Sequence, residues 1–347
     1  MKTIDLMEKM KPAVRNGGFR MEGYWVWCSS VIKGEDGKYH MFASRWDNSN
    51  PMHPTWLTNS EIVRAVSDTP EGPYAFQEVI LESRGAKYWD GRSTHNPVIT
   101  KFKDTYYLYY IGTTHPFLDV EKGEQLKFGD PRVVVARTNK RIGVATSKSI
   151  LGPWKRFDKP ILEPRVNHFD NLFVSNPSPC VDEHGNVIMI YKSRPYLDTP
   201  INGFLHGKMQ LGIAKGDVKK LEFEQISERP LFEEEEFVLE DPFIWKAEEG
   251  YHMIAKDMFG DICGEEHGGA YAYSENGVDW EIQKQVQSYS RTIKWDDGKT
   301  EVMGSLERPF ILFEDGKATH MFFATADGPG GFEKATTTWN MVIPLKA

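Results

Sequence analysis

One short phrase recurs along the chain and restricts its fold more than any other feature: a polar position, a proline, an apolar pair, a tight turn, then an aromatic-rich run. It stands as Thr94-His95-Asn96-Pro97-Val98-Ile99 before Tyr106-Tyr107-Leu108-Tyr109-Tyr110, and as Ser175-Asn176-Pro177 before Val187-Ile188-Met189-Ile190-Tyr191. It returns as Glu240-Asp241-Pro242-Phe243-Ile244 before Tyr251-His252-Met253-Ile254, and as Glu307-Arg308-Pro309-Phe310-Ile311 before Met321-Phe322-Phe323. A first copy without the proline, Cys28-Ser29-Ser30-Val31-Ile32, precedes Tyr39-His40-Met41-Phe42. Successive copies lie about 65 to 80 residues apart, a period that suits a four-stranded blade. Such a blade cannot bury both of its faces alone, whereas blades stacked around an axis bury each face against a neighbour. Five copies fill residues 1–347, so the chain reads as all-β, a single five-bladed β-propeller.

The rest of each unit agrees. Short β-branched or aromatic runs are bounded by Asp36-Gly37, His184-Gly185, Glu249-Gly250 and Asp315-Gly316, turn pairs that hairpins favour. A third strand and an aromatic that opens the outer strand follow, as in Ile142-Gly143-Val144-Ala145 with Gly152-Pro153-Trp154. Trp339 to Leu345 is expected to complete the fifth blade, with an N-terminal strand beside it.

Charge removes some partners. Acidic residues number 50 against 42 Lys and Arg, a net −8, and a phosphate backbone calls for a basic stripe instead, so nucleic acid is excluded. The stretch Met1 to Gly18 is charged and has no apolar core, so the chain as given shows no signal peptide and no membrane span. It reads as cytoplasmic, or as periplasmic or secreted where a leader has been removed. Three widely spaced cysteines, Cys28, Cys180 and Cys263, imply no disulfide framework.

In a propeller the inner strands surround one axial pocket, so the residues just before each proline become neighbours. These are Ser29, Asn96, Asn176, Asp241 and Arg308, flanked by Cys28, His95, Ser175, Glu240 and Glu307. Cleaving a glycosidic bond takes one carboxylic acid to protonate the leaving oxygen and one carboxylate to attack or to activate water. Glu240, Asp241 and Glu307 on adjacent blades supply candidates. Asp90, six residues before Asn96 in the polar run Asp90-Gly91-Arg92-Ser93, is a further one, and Asp170 echoes it before Asn176. Arg45, Lys192, Arg194 and Lys256 follow the second strands. With Arg308 they suit an anionic sugar, a uronate or sulfated unit, because a guanidinium fork matches carboxylate and sulfate. Trp27, with Trp25, Trp46, Trp56, Trp89 and Phe117, offers a surface for a pyranose face. The glycine-rich run from Lys256 to Gly269 reads as a loop over the pocket that brings His267 to the substrate. The insertion His115 to Lys140 reads as a rim loop that narrows the pocket. Asp257, Asp261, Glu265 and His267 match no defined metal spacing, so no metal site is assigned.

The blade phrases, with Ser147 to Trp154 in the form Ser-x-x-x-x-Gly-Pro-Trp, resemble the five-bladed glycoside hydrolases grouped around family 43, with families 32, 62, 68 and 117 as relatives. The resemblance implies an Asp before Pro that modulates pKa, matched by Asp241-Pro242, and a Glu-x-Pro general acid, matched by Glu307-Arg308-Pro309. It places the base at an Asp-Pro two blades before the modulator, where this chain has Asn96, which accepts no proton. Either Asp90 takes that role, or Asp241 is itself the base, or the mechanism differs. The implied activity is exo-acting, inverting hydrolysis of a terminal sugar from an oligo- or polysaccharide of plant or algal type. His95, Asn96, Asn176, Arg308, Glu240, Arg45, Lys192, His267 and Trp27 would bind the substrate. No cofactor is required, and a structural Ca2+ is compatible with the group. Two alternatives are a glycoside phosphorylase on a similar propeller and a non-catalytic carbohydrate-binding propeller.

Overall fold

The computed structural model describes residues 4–201, 204–328 and 330–346. Five antiparallel sheets stand around an axis as a five-bladed β-propeller. Blade 1 runs Tyr24–Lys33, Tyr39–Asp47, Glu61–Ser67 and Ala75–Leu81 in consecutive order. Blade 2 is Ser93–Phe102, Thr105–Thr113, Arg141–Ser147 and Lys155–Arg156, and blade 3 is Phe173–Val181, Asn186–Arg194, Gln210–Asp217 and Glu222–Gln225. Blade 4 is Leu239–Ala247, Gly250–Asp257, Gly269–Ser274 and Glu281–Ile282. Blade 5 has three strands of its own, Ser305–Glu314, Lys317–Ala326 and Thr338–Pro344. The inner strand of each blade packs on that of the next, and the fifth packs back on the first. No helix among the described residues is long and apolar enough to cross a membrane.

The middle strands are buried on both faces, which is why they read as unbroken apolar runs such as Tyr106 to Ile111. Serines on inner strands tie neighbouring blades together. Ser30 Oγ accepts from the Ile99 amide at 3.1 Å, and Ser178 Oγ accepts from the Ile244 amide at 2.9 Å.

The ring closes by the N-terminal segment taking the place of a fourth strand in blade 5. Met10 bridges Leu345 and Phe19 bridges Asn340, both antiparallel. Phe19 and Asn340 exchange backbone hydrogen bonds of 2.9 and 3.0 Å, and the Val14 amide reaches the Val342 carbonyl at 3.2 Å. Gly18 is the pivot of this strap. Its φ is +69°, and a Cβ there would sit 1.8 Å from the Asn340 carbonyl oxygen, so no other residue fits. Its own backbone pairs with blade 1, its amide to the Glu71 carbonyl and its carbonyl to the Tyr74 amide, both at 2.8 Å.

Among the short helical segments that depart from the all-strand pattern, two lie beside the axial cavity. Met52–Asn59, interrupted at His53, leaves the second strand of blade 1, and Pro131–Thr138 lies in the insertion of blade 2. The second is a well-formed helix. Asp130 caps it by accepting from the Arg132 amide at 2.8 Å, and Pro131 takes the first turn, where no amide proton is needed. The two segments pack on each other at the mouth of the axial cavity.

Candidate functional site

Each inner strand carries a β-bulge at the same place. Pairing slips between Trp27 and Ser29, His95 and Val98, Glu240 and Phe243, and Glu307 and Phe310, and opposite Asn176 in blade 3. The bulged residues Cys28, Asn96, Asn176, Asp241 and Arg308 have φ of 51°, 54°, 50°, 54° and 53°. Left-handed backbone is uncommon outside glycine, and its fivefold recurrence marks a designed feature. In blade 1 the equivalent residue is thus Cys28, and the expected Ser29 lies one position on. Without a proline to mark the bulge, the sequence pattern alone misplaced it by one.

The bulge matters because successive strand residues normally point to opposite faces. With an extra residue inserted, two consecutive side chains turn to the axis: His95 with Asn96, Glu240 with Asp241, and Glu307 with Arg308 all line one cavity of about 230 Å³. Strand alternation alone would have sent Glu240 outward.

The five bulged side chains join in a hoop around the axis. Cys28 Sγ donates to Asn96 Oδ1 at 2.6 Å, Asn96 Nδ2 to Asn176 Oδ1 at 3.0 Å, and Asn176 Nδ2 to Asp241 Oδ1 at 2.5 Å. From the other side the Arg308 amide reaches Asp241 Oδ2 at 3.2 Å and Arg308 Nη1 reaches Oδ1 at 3.3 Å. A Ca2+ ion needs a shell of oxygen ligands. A hoop containing a thiol and a guanidinium, its oxygens already bonded, does not fit one. Among the described residues no group of three or more His, Cys, Asp or Glu is arranged to hold a metal.

Above the hoop one ammonium holds two carboxylates. Lys256 Nζ lies 2.7 Å from Glu240 Oε2 and 2.8 Å from Glu307 Oε1, and is 2 % exposed. Lys192 makes a second ion pair with Glu240. The two glutamates therefore part company. Burial alone would raise Glu240, but Lys192 and Lys256 together hold it well below the usual carboxylate range. Burial raises Glu307, Asp241 and Glu240 add to that, and one shared lysine only partly opposes it, so its pKa stands at about 7. Near neutral pH the site holds one ionised glutamate beside one poised between its acid and carboxylate forms, the division that acid-base work on a glycoside needs.

His95 Nδ1 meets Ser60 Oγ at 2.8 Å, and its ring stacks on Trp56 with centroids 4.7 Å apart. Burial, then Arg308 and Lys140, keep it neutral. Trp27, Trp46, Trp56 and Phe173 form apolar walls, and Lys192 lies at the rim of the carboxylate pair.

Three expected site residues lie elsewhere. Asp90 is sealed inside blade 2 at 0 % exposure. Arg84 reaches its Oδ1 at 2.6 Å, while Arg156 and Tyr110 Oη reach Oδ2 at 2.7 Å. Asp170 repeats this in blade 3, accepting from Tyr191 Oη at 2.7 Å and from Arg165 at 3.1 Å. The two aspartates are struts that tie a loop to the second strand, which explains their echo in sequence and removes Asp90 from the base role. Arg45 bonds Glu61 at 2.8 Å beneath Tyr24 and Phe76 on the flank of blade 1, outside the cavity. His267 does not line the cavity. Its amide bonds the Asp257 carbonyl at 2.7 Å, in a loop whose turn Asp257 holds by accepting from the amides of Gly260, Ile262 and Cys263. That loop sends Met258 to the cavity instead.

Sequence reasoning missed His53, Arg137 and Lys140, all contributed by the two helical segments or the turn after them. The length of the insertion was the signal for a rim element, but nothing in it showed which side chains face inward.

No protein-family model matches the sequence, and no curated protein matches it. Solved structures do. The chain superposes on Zg3597, a family 117 glycoside hydrolase from the marine bacterium Zobellia galactanivorans, with a TM-score of 0.67 and 17% identity, covering 97% of this chain and 90% of that one. It is similar to CoXyl43, a family 43 β-xylosidase/α-arabinofuranosidase from a compost microbial metagenome solved with xylotriose, at a TM-score of 0.59 and 16% identity over 97% and 94% of the two chains. It is also similar to the catalytic domain of a family 62 α-L-arabinofuranosidase from Coprinopsis cinerea, at 0.60 and 9% over 97% of each. At these identities the likeness is one of fold. The five-bladed architecture shared by families 117, 43 and 62 is the architecture of this chain.

Proposed function

We propose that the protein is a glycoside hydrolase that removes a single terminal sugar, with Glu307 as general acid and Glu240 as the second carboxylate. The observation that carries this reading is the pair of glutamates on adjacent blades, bridged by the Lys256 ammonium at 2.7 and 2.8 Å in one axial cavity, and the lysines around them split their ionisation. Glu307 gives its proton to the glycosidic oxygen as the bond to the anomeric carbon breaks, so the leaving sugar departs as a neutral alcohol. Glu240, ionised and with its carboxylate held by Lys192 and Lys256, faces the developing positive charge. Asp241, fixed by three hydrogen bonds in the axial hoop, keeps Glu307 protonated through its own charge, the modulating role the resemblance implied. A cavity of about 230 Å³, below the roughly 300 to 1,000 Å³ of drug-sized ligand sites, suits one sugar ring and hence exo action.

A single ammonium touching both glutamates argues for the close carboxylate spacing of about 5 Å, at which the second carboxylate attacks directly, over the about 6.5 to 9.5 Å that admits a water. On this reading Glu240 forms a glycosyl ester. Water then attacks that ester while Glu307 takes its proton, and configuration is retained where the resemblance implied inversion. The test uses a panel of 4-nitrophenyl glycosides and unactivated disaccharides. Glu307→Gln should lose turnover of disaccharides by about 100- to 10,000-fold while keeping much of its rate on nitrophenyl substrates, whose leaving group needs no proton. Full disaccharide turnover in that variant would remove Glu307 from the acid role. NMR of the first sugar released decides the stereochemistry.

A further inference from the structure

We propose that the sugar this cavity takes bears an anionic substituent, a carboxylate or a sulfate, bound by Lys140, Arg137 and Arg194. The proposal rests on the reading that the cavity binds a glycan, and it assigns that glycan its chemical class.

The chain as a whole is acidic, at a net −8, yet its cavity is lined by more cations than carboxylates. Each carboxylate there is already committed: Glu240 to Lys192 and Lys256, Glu307 to Lys256, and Asp241 to Arg308. Lys140, Arg137 and Arg194 have no carboxylate within ion-pair distance among the described residues. Lys140 is 4% exposed, and its ammonium sits 3.6 Å from the centroid of Phe173. Arg194 Nη1 is held by the Gly207 carbonyl at 2.9 Å and by His206 Nδ1 at 3.1 Å, contacts that aim the guanidinium without neutralising it. Buried charges are ordinarily paired, so a buried lysine and two half-buried arginines that converge on one cavity with no carboxylate partner among the described residues mark a place an anion completes. Burial first, then repulsion from Lys192, Arg137 and Arg194, drives Lys140 well below its usual range, a penalty a bound anion relieves.

Position says where that anion sits on the ligand. The three cations belong to the helix Pro131–Thr138, the turn after it and the second strand of blade 3, whereas Glu307 is on blade 5. In a ring of five, blade 5 faces the gap between blades 2 and 3. The anion therefore lies across the cavity from the acid, on the body of the sugar and away from the bond being cut. Two arginines bring flat donor forks suited to carboxylate and sulfate.

The test is calorimetric titration of the full chain carrying Glu307→Gln, so that nothing is consumed. The ligands are D-glucuronate, D-galacturonate, glucose 6-sulfate, galactose 6-sulfate, their neutral parents and inorganic phosphate. The expected result is binding of a uronate or of a sulfated sugar in preference to its neutral parent. Adding Lys140→Met, which keeps the packing on Phe173, should weaken that binding about ten- to hundred-fold and leave the neutral parent unchanged. Without ligand the Lys140→Met protein should melt no lower than the unsubstituted one, since an unpaired buried charge has gone. A uronate preference names the carboxylate and a sulfate preference names the sulfate. Neutral sugars binding equally well, an anion preference that survives Lys140→Met, binding of phosphate alone, which points to phosphorolysis, or no binding of any of these overturns the proposal. Binding is read without turnover. A failure of Glu307 as the acid would therefore appear in the disaccharide assay and leave this result standing.

Discussion

Glu307 and Glu240 hold equivalent places on neighbouring blades, and the cations around them decide which one keeps a proton. Glu240 touches two lysines and Glu307 only one, which it shares. If Glu307 is the acid proposed above, with its pKa at about 7, kcat/KM should be level below neutrality and fall about tenfold per pH unit above it. The acid limb should lie well below the usual carboxylate range, set by Glu240. Asp241 helps to raise Glu307, so Asp241→Asn should move the alkaline limb to lower pH. An unmoved limb would leave Asp241 a purely structural part of the hoop. Asp90 is the contrasting case. Asp90→Asn breaks a buried pair with Arg84 and Arg156 and should reduce stability by about 3 to 5 kcal/mol, read by urea unfolding, with turnover per folded molecule intact. Lost turnover in a folded protein would return Asp90 to the chemistry. The placing of Glu307 and Asp241 in the cavity was legible in sequence because Glu-x-Pro and Asp-Pro mark the bulge itself. Asp90 misled because a strut and a catalytic aspartate both appear as a polar residue near an inner strand, and only its arginine partners distinguish them.

At the scale of elements, the inner and second strands could be read from proline, turn pairs and aromatic runs, since all three have direct backbone causes. The helix Pro131–Thr138 could not. It spans 8 residues with Val133 and Ala136 buried, too short to show a helical period against the insertion around it. The cations it brings to the cavity were hidden for the same reason. Its stability depends on the Asp130 cap, so Asp130→Ala should reduce protein stability by about 0.5 to 2 kcal/mol. Because the helix carries Arg137 and leads into Lys140, the same change should raise KM more than it lowers kcat. An equal fall in kcat with KM untouched would separate this helix from substrate binding.

For the whole molecule, closure of the ring is the global constraint, and Gly18 sits at the joint between blade 5 and blade 1. Gly18→Ala forces a Cβ into the Asn340 carbonyl at 1.8 Å, so the strap must leave its sheet. The expected outcome is a thermal midpoint lower by several degrees and an exposed edge on Thr338–Pro344, seen as faster amide exchange in that strand. Unchanged exchange there would show that closure does not depend on the strap. The strap was foreseen only as a strand beside the last one. Its path holds Pro12 and Asn16-Gly17 but no aromatic-rich run to mark a strand, and the need for glycine at position 18 becomes visible only when Asn340 is in place.

The amides and thiol around the axis all pass their protons in the same rotational sense, from Cys28 through Asn96 and Asn176 to Asp241, where Arg308 meets them head-on. Between Arg308 and Cys28 the circuit has a seam, and it falls between blades 5 and 1, where the N-terminal strap is also buckled. Other bonds bridge that junction, the Val26 amide to Thr338 Oγ1 at 2.8 Å and Asn340 Nδ2 to the Cys28 carbonyl at 2.9 Å, and Glu307 rides the blade at its edge. A displacement of the outer buckle reaches blade 5 directly, so the grip of the rim and the placing of Glu307 are linked through one sheet.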